Sequence, residues 1–238
     1  MILAILQARM SSTRLPGKVL RPLAGRPMMG RQLDRLKRSQ RIDRLVVATS
    51  TEPIDDAVAD FCASEAILCH RGPLTDVLAR FAGAAEAFGP ADHIVRLTAD
   101  CPLTDWEIID ACIDHHLETG ADYTANGVER TFPDGLDVEV MTAAALKSAQ
   151  SQAIAGPERE HVTMYIYRNP EQFRLAYLKQ SCDLSALRWT VDNPADFAFV
   201  EAVYAELLPH KPNFLQADIL GLLHRRPDIV AINAAEPF

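Results

Sequence analysis

Residues 1–20, MILAILQARMSSTRLPGKVL, join a short apolar run to a loop that is rich in cations and hydroxyl groups. The run at 2–6 has the length and composition of a buried strand. In an open parallel sheet, ligands bind at the carboxyl ends of the strands. Arginine, lysine and backbone N–H groups are the usual phosphate donors, so the loop after this strand is expected to hold phosphate groups.

The turn within this loop can also be predicted. Pro16 and Gly17 fit the two central positions of a type II turn, in which glycine takes a positive φ. That turn would direct Lys18 back toward Arg9 and Arg14. The loop has neither the Walker A pattern nor the G-x-G-x-x-G pattern of dinucleotide sites. Its composition also fits an ordinary basic surface loop, but its place directly after a strand favours phosphate binding.

Outward from this stretch, apolar runs alternate with amphipathic segments. The predicted strands are 45–49, 66–69 and 93–97, and the predicted helices are 27–38, 53–64 and 74–88. Alternation of strands and helices implies a parallel sheet with right-handed crossovers. The expected fold is therefore α/β, a Rossmann-like mixed and mainly parallel sheet with helices on both faces.

The second half of the chain has a less regular pattern. Thr104 and Glu107 form a capping-box sequence before a predicted helix that runs to Thr119, with Gly120 after its end. Further strands are predicted at 122–125, 137–141, 173–178, 187–191 and 229–232, and further helices at 142–152, 158–168, 194–208 and 215–226. Since no linker is visible, we expect a single domain over residues 1–238.

Composition excludes several classes of protein. Apolar residues make up 48% of the 238, which is enough for a core and argues against disorder. No run of eighteen apolar residues predicts a membrane span, and no signal-peptide pattern is seen, so a cytoplasmic protein is expected. Five cysteines without metal-ligand spacing are expected to be free thiols.

Charge is distributed unevenly along the chain. Residues 1–44 contain eleven Lys or Arg and two Asp, a net charge of +9, whereas the whole chain carries −8. A basic amino-terminal segment on an acidic body favours a local anionic ligand. The acidic balance argues against a nucleic-acid partner.

Carboxylates follow two of the predicted strands. Asp100 comes after 93–97, and Asp192 comes after 187–191 and precedes a helix. A carboxylate at such an edge can hold Mg²⁺ that bridges phosphate oxygens. Each residue is equally well explained as a turn or helix-capping aspartate, so the residue types alone leave both roles open.

A third acidic group surrounds Gly135. Strand alternation places Asp137 and Glu139 on one face, near Asp134. They could contact sugar hydroxyls or form an exposed strand face. On the predicted helix 158–168, His161 and Tyr165 are four residues apart and would share a side.

Several of these segments together resemble a known family. They are 7–20 (QARMSSTRLPGKVL), 96–103 (RLTADCPL), 133–140 (PDGLDVEV), 158–163 (EREHVT) and 188–197 (RWTVDNPADF). Their order and residues are similar to those of the cytidylyltransferases that activate acidic sugars, such as 3-deoxy-manno-octulosonate and acylneuraminate cytidylyltransferases. Within that family the resemblance is greatest to the branch called spore coat polysaccharide biosynthesis protein F.

This resemblance implies an activity: transfer of CMP from CTP to an acidic sugar with release of pyrophosphate, in surface polysaccharide biosynthesis. It also implies the nucleotide-diphospho-sugar transferase type of fold, with a nucleotide-binding half at about 1–120 and a sugar-binding and dimerisation half at about 121–238. The partners would be CTP, an acidic sugar and, in a homodimer, a second copy of the chain. The expected cofactor is Mg²⁺.

The resemblance assigns roles to individual residues. Catalysis would involve Lys18, Arg9 and Asp100, and the metal ligands would be Asp100 and Asp192. The nucleotide would contact Ala8, Arg9, Ser11, Ser12, Arg14, Lys18, Arg71 and Thr98, although the octulosonate enzymes have a glutamine where Thr98 stands. The sugar would contact Asp134, Asp137, Glu139, His161 and Tyr165.

Two other functions remain open from the sequence. A metal-dependent glycosyltransferase would need an Asp-x-Asp pair after a strand, whereas 98–100 reads Thr-Ala-Asp. A noncatalytic nucleotide-sugar-binding protein would not need both candidate metal carboxylates. Release of pyrophosphate from CTP, as opposed to release of nucleotide from a nucleotide-sugar, distinguishes the alternatives.

Overall fold

The computed structural model of the protein describes residues 1–154 and 156–234. Its strands are β1 (Ile2–Gln7), β2 (Pro22–Leu23), β3 (Arg26–Pro27), β4 (Arg44–Ser50), β5 (Leu68–Gly72), β6 (His93–Thr98), β7 (Tyr123–Ala125), β8 (Glu139–Thr142) and β9 (Leu175–Tyr177). Its α-helices are α1 (Met28–Leu36), α2 (Asp56–Ser64), α3 (Val77–Phe88), α4 (Trp106–Thr119), α5 (Ala143–Gln152), α6 (Gly156–Glu160), α7 (Met164–Arg168), α8 (Pro194–Leu207), α9 (Gln216–Arg225) and α10 (Pro227–Val230).

One mixed sheet forms the centre of the molecule, with strand order β5-β4-β1-β6-β8-β7-β9. The first four of these strands run parallel to one another, β8 is antiparallel to both of its neighbours, and β9 is parallel to β7. The expected mainly parallel sheet is therefore confirmed. Gln7 at the end of β1 pairs with Thr98 at the end of β6, so the loops after these strands lie side by side.

Helices cover both faces of this sheet, as expected. Leu33 of α1, Val58 of α2 and Ile109 of α4 are buried with the side chains of one face. Phe81 of α3 and Leu146 of α5 are buried with those of the other face. Among the described residues no helix is long and apolar enough to cross a membrane.

A third cluster of buried residues lies beside the sheet and includes side chains of the carboxy-terminal helices. Phe199 of α8 and Leu222 of α9 belong to it, together with Trp189 and Leu15 of the basic loop. Leu15 anchors the basic loop in this cluster. Three residues later, Lys18 reaches Asp100, which follows the end of β6.

Three predicted strands differ from the structure. Ala66 adopts a left-handed turn with φ 54° after α2, so β5 begins at Leu68 rather than at 66. Residues 187–191 make a single bridge between Arg188 and Asp134 instead of a strand. The predicted strand 229–232 is wrong, because Pro227 occupies the first position of α10, where its missing N–H costs nothing.

The cap of α4 also differs from the prediction. Asp105, not Thr104, caps the helix by accepting hydrogen bonds from the N–H groups of Glu107 and Ile108. Thr104 instead donates its hydroxyl to the carbonyl of Cys101 at 2.6 Å. Gly120 ends the helix with φ 59°, as predicted.

His116 of α4 makes the stability of the protein depend on pH. It is 1% exposed and lies 3.0 Å from His93 and 2.9 Å from the Thr124 hydroxyl. Burial, with the neighbouring His93, lowers its pKa from 6.5 to about 4. Because the unfolded chain then binds a proton that the folded chain does not, stability falls as the pH drops below 6.5 toward 4.

Between pH 7 and pH 4 this single group is expected to cost roughly 3 kcal/mol of unfolding free energy, at 1.36 kcal/mol for each pKa unit. Urea unfolding of the unaltered protein and of His116→Gln at both pH values measures the effect. The variant should lose less stability than the unaltered protein on acidification. Equal losses would show that His116 does not titrate in this range.

Candidate active site

The loop after β1 is fixed by hydrogen bonds at both of its ends. The N–H of Met10 donates to buried Asp55 at 2.6 Å, and the N–H of Gly17 donates to the carbonyl of Met10 at 2.9 Å. The predicted type II turn is confirmed, since Gly17 has φ 73° and the N–H of Lys18 donates to the carbonyl of Leu15. The turn places Lys18 at the start of a 3₁₀ helix, Lys18–Leu20.

Lys18 joins three separate parts of the chain. Its side chain is 9% exposed, and its Nζ donates to the carbonyl of Val191 at 2.6 Å. The same Nζ lies 3.1 Å from Asp192 Oδ1 and 3.4 Å from Asp100 Oδ2. The two carboxylates that were predicted as metal ligands therefore both lie next to one ammonium group, beside the basic loop.

The carboxyl of Asp100 is held in its charged form. Burial raises its pKa, but the Lys18 charge and hydrogen bonds from Thr98 and Cys101 outweigh burial and leave the pKa below its ordinary value. Asp192 forms a second ion pair, with Arg14 at 3.1 Å. Both carboxylates therefore lie beside cations of the loop at this edge of the sheet.

Arg188 holds Asp192 in position through an ion pair. It was not predicted as a site residue. Its guanidinium, 6% exposed, lies 3.0 Å from Asp192 Oδ2 and 3.0 Å from Asp196 Oδ1. Asp196 is fully buried and accepts the N–H groups of Asp192 and Asn193, which completes a capping box at the start of α8. The arrangement fixes the backbone and the side chain of Asp192 together.

A cavity of about 180 Å³ opens at this edge of the sheet. The predicted nucleotide or metal residues in its wall are Ala8, Arg9, Ser12, Arg14, Lys18, Thr98, Asp100 and Asp192. Gln7, Thr13 and Arg80 line it as well and were not singled out by the sequence. Arg80 of α3 therefore lines the same cavity as the cations of the loop.

Two predicted nucleotide contacts do not border that cavity. Arg71 donates to the carbonyl of Ser50 at 2.9 Å and pairs with Asp56 at 2.7 Å, so its charge is directed to the start of α2. Ser11 is also absent from the wall, and its buried Oγ has no hydrogen-bond partner within the described chain.

A second cavity of about 490 Å³ lies next to the first, and Thr98 is in the wall of both. Asp137, Glu139 and His161 of the predicted sugar set border it. Asp134 and Tyr165 do not border it. Asp134 instead pairs with Arg130 at 3.4 Å and with Arg188 at 3.5 Å.

Tyr165 is directed away because the predicted helix 158–168 is broken. Its first part ends at Glu160, Val162 has φ 43°, and a new helix begins at Met164. The prediction that His161 and Tyr165 share a helix side is therefore wrong. Tyr165 donates to Gln152 at 2.8 Å, outside the cavity, whereas Thr163 and Tyr167 line the wall.

Glu139 is the centre of a hydrogen-bonded network in the second cavity. It forms an ion pair with Arg96 and accepts the hydroxyls of Tyr123 and Thr163. Burial raises its pKa, but Arg96 and the two hydroxyls outweigh burial and hold the pKa below its ordinary value. Only one edge of Arg96 is used in this network, because its buried Nε has no partner within residues 1–154 and 156–234.

Asp137 behaves differently from Glu139. Burial, together with the negative charge of Asp134, raises its pKa to about 6, although Arg130 at 2.8 Å opposes this change. Gly127 lies so close that a Cβ there would be 2.5 Å from Asp137 Oδ1. The cavity thus contains one fixed carboxylate and one carboxyl that titrates near neutral pH.

The loop that carries Asp134 and Asp137 depends on Gly135. This glycine has φ 109°, and a Cβ there would lie 2.5 Å from the backbone of Trp189 and Thr190. A Gly135→Ala variant is expected to lose roughly 2–5 kcal/mol of unfolding free energy, because both the dihedral angle and the contact must change.

Urea unfolding measures this loss. Gly221→Ala is the matched control, since the nearest atom to its new Cβ would be a flexible arginine terminus at 3.6 Å. The control should be as stable as the unaltered protein or slightly more stable. A Gly135→Ala variant of equal stability would show that the loop can move away from Trp189.

Divalent metal could be held by the pair of Asp100 and Asp192. No group of three or more His, Cys, Asp or Glu within the described ranges is arranged to hold a metal ion. Mg²⁺ commonly takes only one or two protein carboxylates and completes its shell with substrate phosphates and water. The oxygen donors of Asp100 and Asp192, beside a cation-lined cavity, fit that mode.

Fold and site together define a nucleotidyltransferase: an α/β sheet whose first strand leads into a basic loop that faces two carboxylates across a cavity. The family model described as cytidylyltransferase matches residues 3–199. The chain belongs to the cytidylyltransferase family.

Similarity to individual proteins agrees with this assignment. The chain is 35% identical to spore coat polysaccharide biosynthesis protein SpsF of Bacillus subtilis (strain 168), over 99% of both chains. It is 39% identical to 3-deoxy-manno-octulosonate cytidylyltransferase of Anaeromyxobacter sp. (strain K), over 47% of this chain and 46% of the other. A solved cytidylyltransferase structure from Leptospira borgpetersenii serovar Hardjo-bovis (strain JB197) superposes with a TM-score of 0.92 and 31% identity, over 100% of this chain and 98% of the other.

Proposed function

We propose that the protein transfers CMP from CTP to a hydroxyl of an acidic sugar, in the biosynthesis of a polysaccharide. The observation that carries the proposal is the convergence of Lys18, Asp100 and Asp192 in one cavity that shares Thr98 with a second, larger cavity. A nucleotide in the first cavity and an acceptor in the second would be neighbours. The name of the octulosonate cytidylyltransferase supports cytidylyl transfer to a sugar acid, and the name of SpsF supports a role in polysaccharide biosynthesis.

The proposed reaction has one displacement step. The acceptor oxygen attacks the α-phosphorus, the bond from that phosphorus to the bridging oxygen breaks, and pyrophosphate leaves with the electron pair. The proton of the acceptor hydroxyl passes to solvent. Positioning and charge stabilisation supply most of the rate in such transfers, and Arg9, Arg14 and Lys18 are placed to supply them.

Asp100 and Asp192 would hold Mg²⁺, the proposed cofactor. When bound, the ion would polarise the α-phosphate and lower the pKa of the attacking hydroxyl. Lys18, Arg14 and Arg188 hold these carboxylates in place through ion pairs.

An acidic acceptor is supported by Arg96. Its guanidinium lines the second cavity, and Glu139 engages Nη1 while the buried Nε has no partner in the part of the chain that the structure describes. A sugar carboxylate in this cavity could accept from the Arg96 N–H groups that Glu139 does not use, because guanidinium groups bind carboxylates through pairs of N–H donors. We also propose that the protein is a homodimer, which light scattering on the purified chain tests.

Pyrophosphate release is the direct test of the activity. The protein is incubated with CTP and Mg²⁺, with and without 3-deoxy-manno-octulosonate or N-acetylneuraminate, and with UTP, GTP or ATP in place of CTP. Sugar-dependent release with CTP is expected. Thermal-shift measurements with the four triphosphates report binding separately, since a ligand of the folded state raises its apparent stability. Absence of CTP binding, or release of nucleotide from a nucleotide-sugar instead, would contradict the proposal.

A further inference from the structure

Arg80 is a buried arginine in the first cavity with no role in the site described above. It lies in the first turns of α3 and is 1% exposed. Gly72, at the end of β5, makes room for it, because a Cβ at that position would lie 3.0 Å from Arg80 Cγ. The helix start is fixed by Asp76, which accepts the N–H of Ala79 at 2.9 Å. The backbone of Arg80 is therefore rigidly placed.

No described carboxylate forms an ion pair with Arg80, although Asp55 and Asp76 stabilise its charge from a longer distance. Its Nη1 donates to the carbonyls of Pro73 and Leu74 at 2.7 and 3.2 Å. Its Nε is buried and has no partner, and no ion pair among residues 1–154 and 156–234 includes this side chain. Burial, with the nearby Arg9 cation, lowers its pKa to about 10. A buried guanidinium without a counter-ion is costly, so an external anion is expected to balance it.

A structural arginine in the same protein shows the contrast. Arg35 is 4% exposed and does not border the cavity. Its guanidinium donates to the carbonyls of Leu103, Thr104 and Phe214, and it packs on the Phe214 ring with its carbon at 4.4 Å from the ring centre. Protein groups thus surround the Arg35 guanidinium, whereas Arg80 borders the cavity and has protein hydrogen-bond partners only at Nη1.

The cations in this cavity fall into two pairs. Lys18 and Arg14 are engaged by the carboxylates Asp100 and Asp192. Arg9 and Arg80 line the same cavity and have no carboxylate partner in the described part of the chain. The first pair faces two carboxylates of the protein, whereas the second pair adds two positive charges that no ion pair among the described residues offsets. A triphosphate carries several negative charges at neutral pH.

We propose that Arg80 binds phosphate oxygens of the CTP triphosphate, as a buried donor that α3 contributes to the cavity. This inference rests on the proposed function. It adds a nucleotide-binding residue from α3 to those of the amino-terminal loop. The bond is charge-assisted, and such bonds are among the stronger ones in proteins.

Calorimetric titration of CTP into the full chain tests the proposal. Arg80→Gln keeps a polar side chain without charge, and Arg80→Met keeps the length of the stem. Each is expected to raise the Kd for CTP roughly 10- to 100-fold, the range for a lost hydrogen bond to a charged group. Pyrophosphate, titrated alone, should lose affinity in the same variants because it presents the same oxygens.

Arg41→Gln is the matched control, since Arg41 is half-exposed and pairs with Asp114 at 2.8 Å on the surface. Its Kd for CTP should equal that of the unaltered protein. Thermal melting without nucleotide establishes whether each variant is folded. Two substitutions are made so that the Kd can be measured even if one of the variants does not fold. A folded Arg80 variant with a Kd within twofold of the unaltered value would overturn the role of Arg80 while leaving the proposed function intact. Failure of the unaltered protein to bind CTP would overturn the proposed function itself.

Discussion

An Asp100→Asn variant is expected to release pyrophosphate from CTP about a thousandfold more slowly than the unaltered protein, with its fold preserved. Asn is nearly the same size, so the change removes charge and little else. In the proposed reaction, loss of one of two carboxylates removes several kcal/mol of charge stabilisation, which corresponds to a factor of this size. The measurement is the initial rate of pyrophosphate release at saturating CTP and Mg²⁺.

The structure indicates that folding will tolerate this substitution. Asp100 keeps about a third of its side chain exposed, and Lys18 retains Asp192 and the carbonyl of Val191 as partners after the change. Asp114→Asn, on the surface opposite Arg41, is the charge-matched control and should keep full activity. If Asp100→Asn kept more than a tenth of the activity, Asp100 would have no part in the chemistry.

The basic loop could be predicted from sequence because its signals are local. A buried strand, a Pro-Gly turn and three cations occur within eighteen residues, and each has its own physical meaning. The turn type and the direction of Lys18 are set by Gly17 alone. Asp100 and Asp192, ninety-two positions apart, were matched to one site only through family resemblance, and the structure places both beside Lys18.

Residues that act through tertiary contacts were missed. Arg188 is four positions before Asp192 and eight before Asp196, a charge pattern that could have suggested its pairing with both. Arg80 is three residues after Val77 and one before Phe81, on the side of α3 that is otherwise apolar and buried. A single cation on an apolar helix face is the signal that could have found it.

The remaining errors come from backbone conformations that carry no local signal. Val162 has φ 43°, an unusual value for a β-branched residue, so the helix interruption that turns Tyr165 away from the cavity could not be anticipated. Residues 187–191 have the composition of a strand, yet only Arg188 forms a bridge, with Asp134, where the backbone at Gly135 closely contacts Trp189. In both cases tertiary packing determined the outcome.

Lys18→Met is expected to lower kcat/KM for CTP by about 100- to 1,000-fold, the usual effect of removing one donor at a site where charge develops. Methionine preserves the aliphatic stem, which is buried, and removes the ammonium group that lies between Asp100 and Asp192. The loss should appear in KM as well as in kcat, because the same charge attracts the triphosphate before reaction.

The control is Lys37→Met, which removes an exposed lysine at the carboxyl end of α1 and should leave kcat/KM unchanged.

A second measurement separates a role in catalysis from a role in holding the two carboxylates together. Without Lys18 the carboxylates repel each other, so Mg²⁺ alone should raise the melting temperature of the variant more than that of the unaltered protein. Activity should stay low even at Mg²⁺ concentrations that restore the melting temperature, because the ion replaces the charge between the carboxylates but not the donor to the phosphates. Recovery of full activity under those conditions would show that Lys18 only holds the two carboxylates together and does not act on the phosphates.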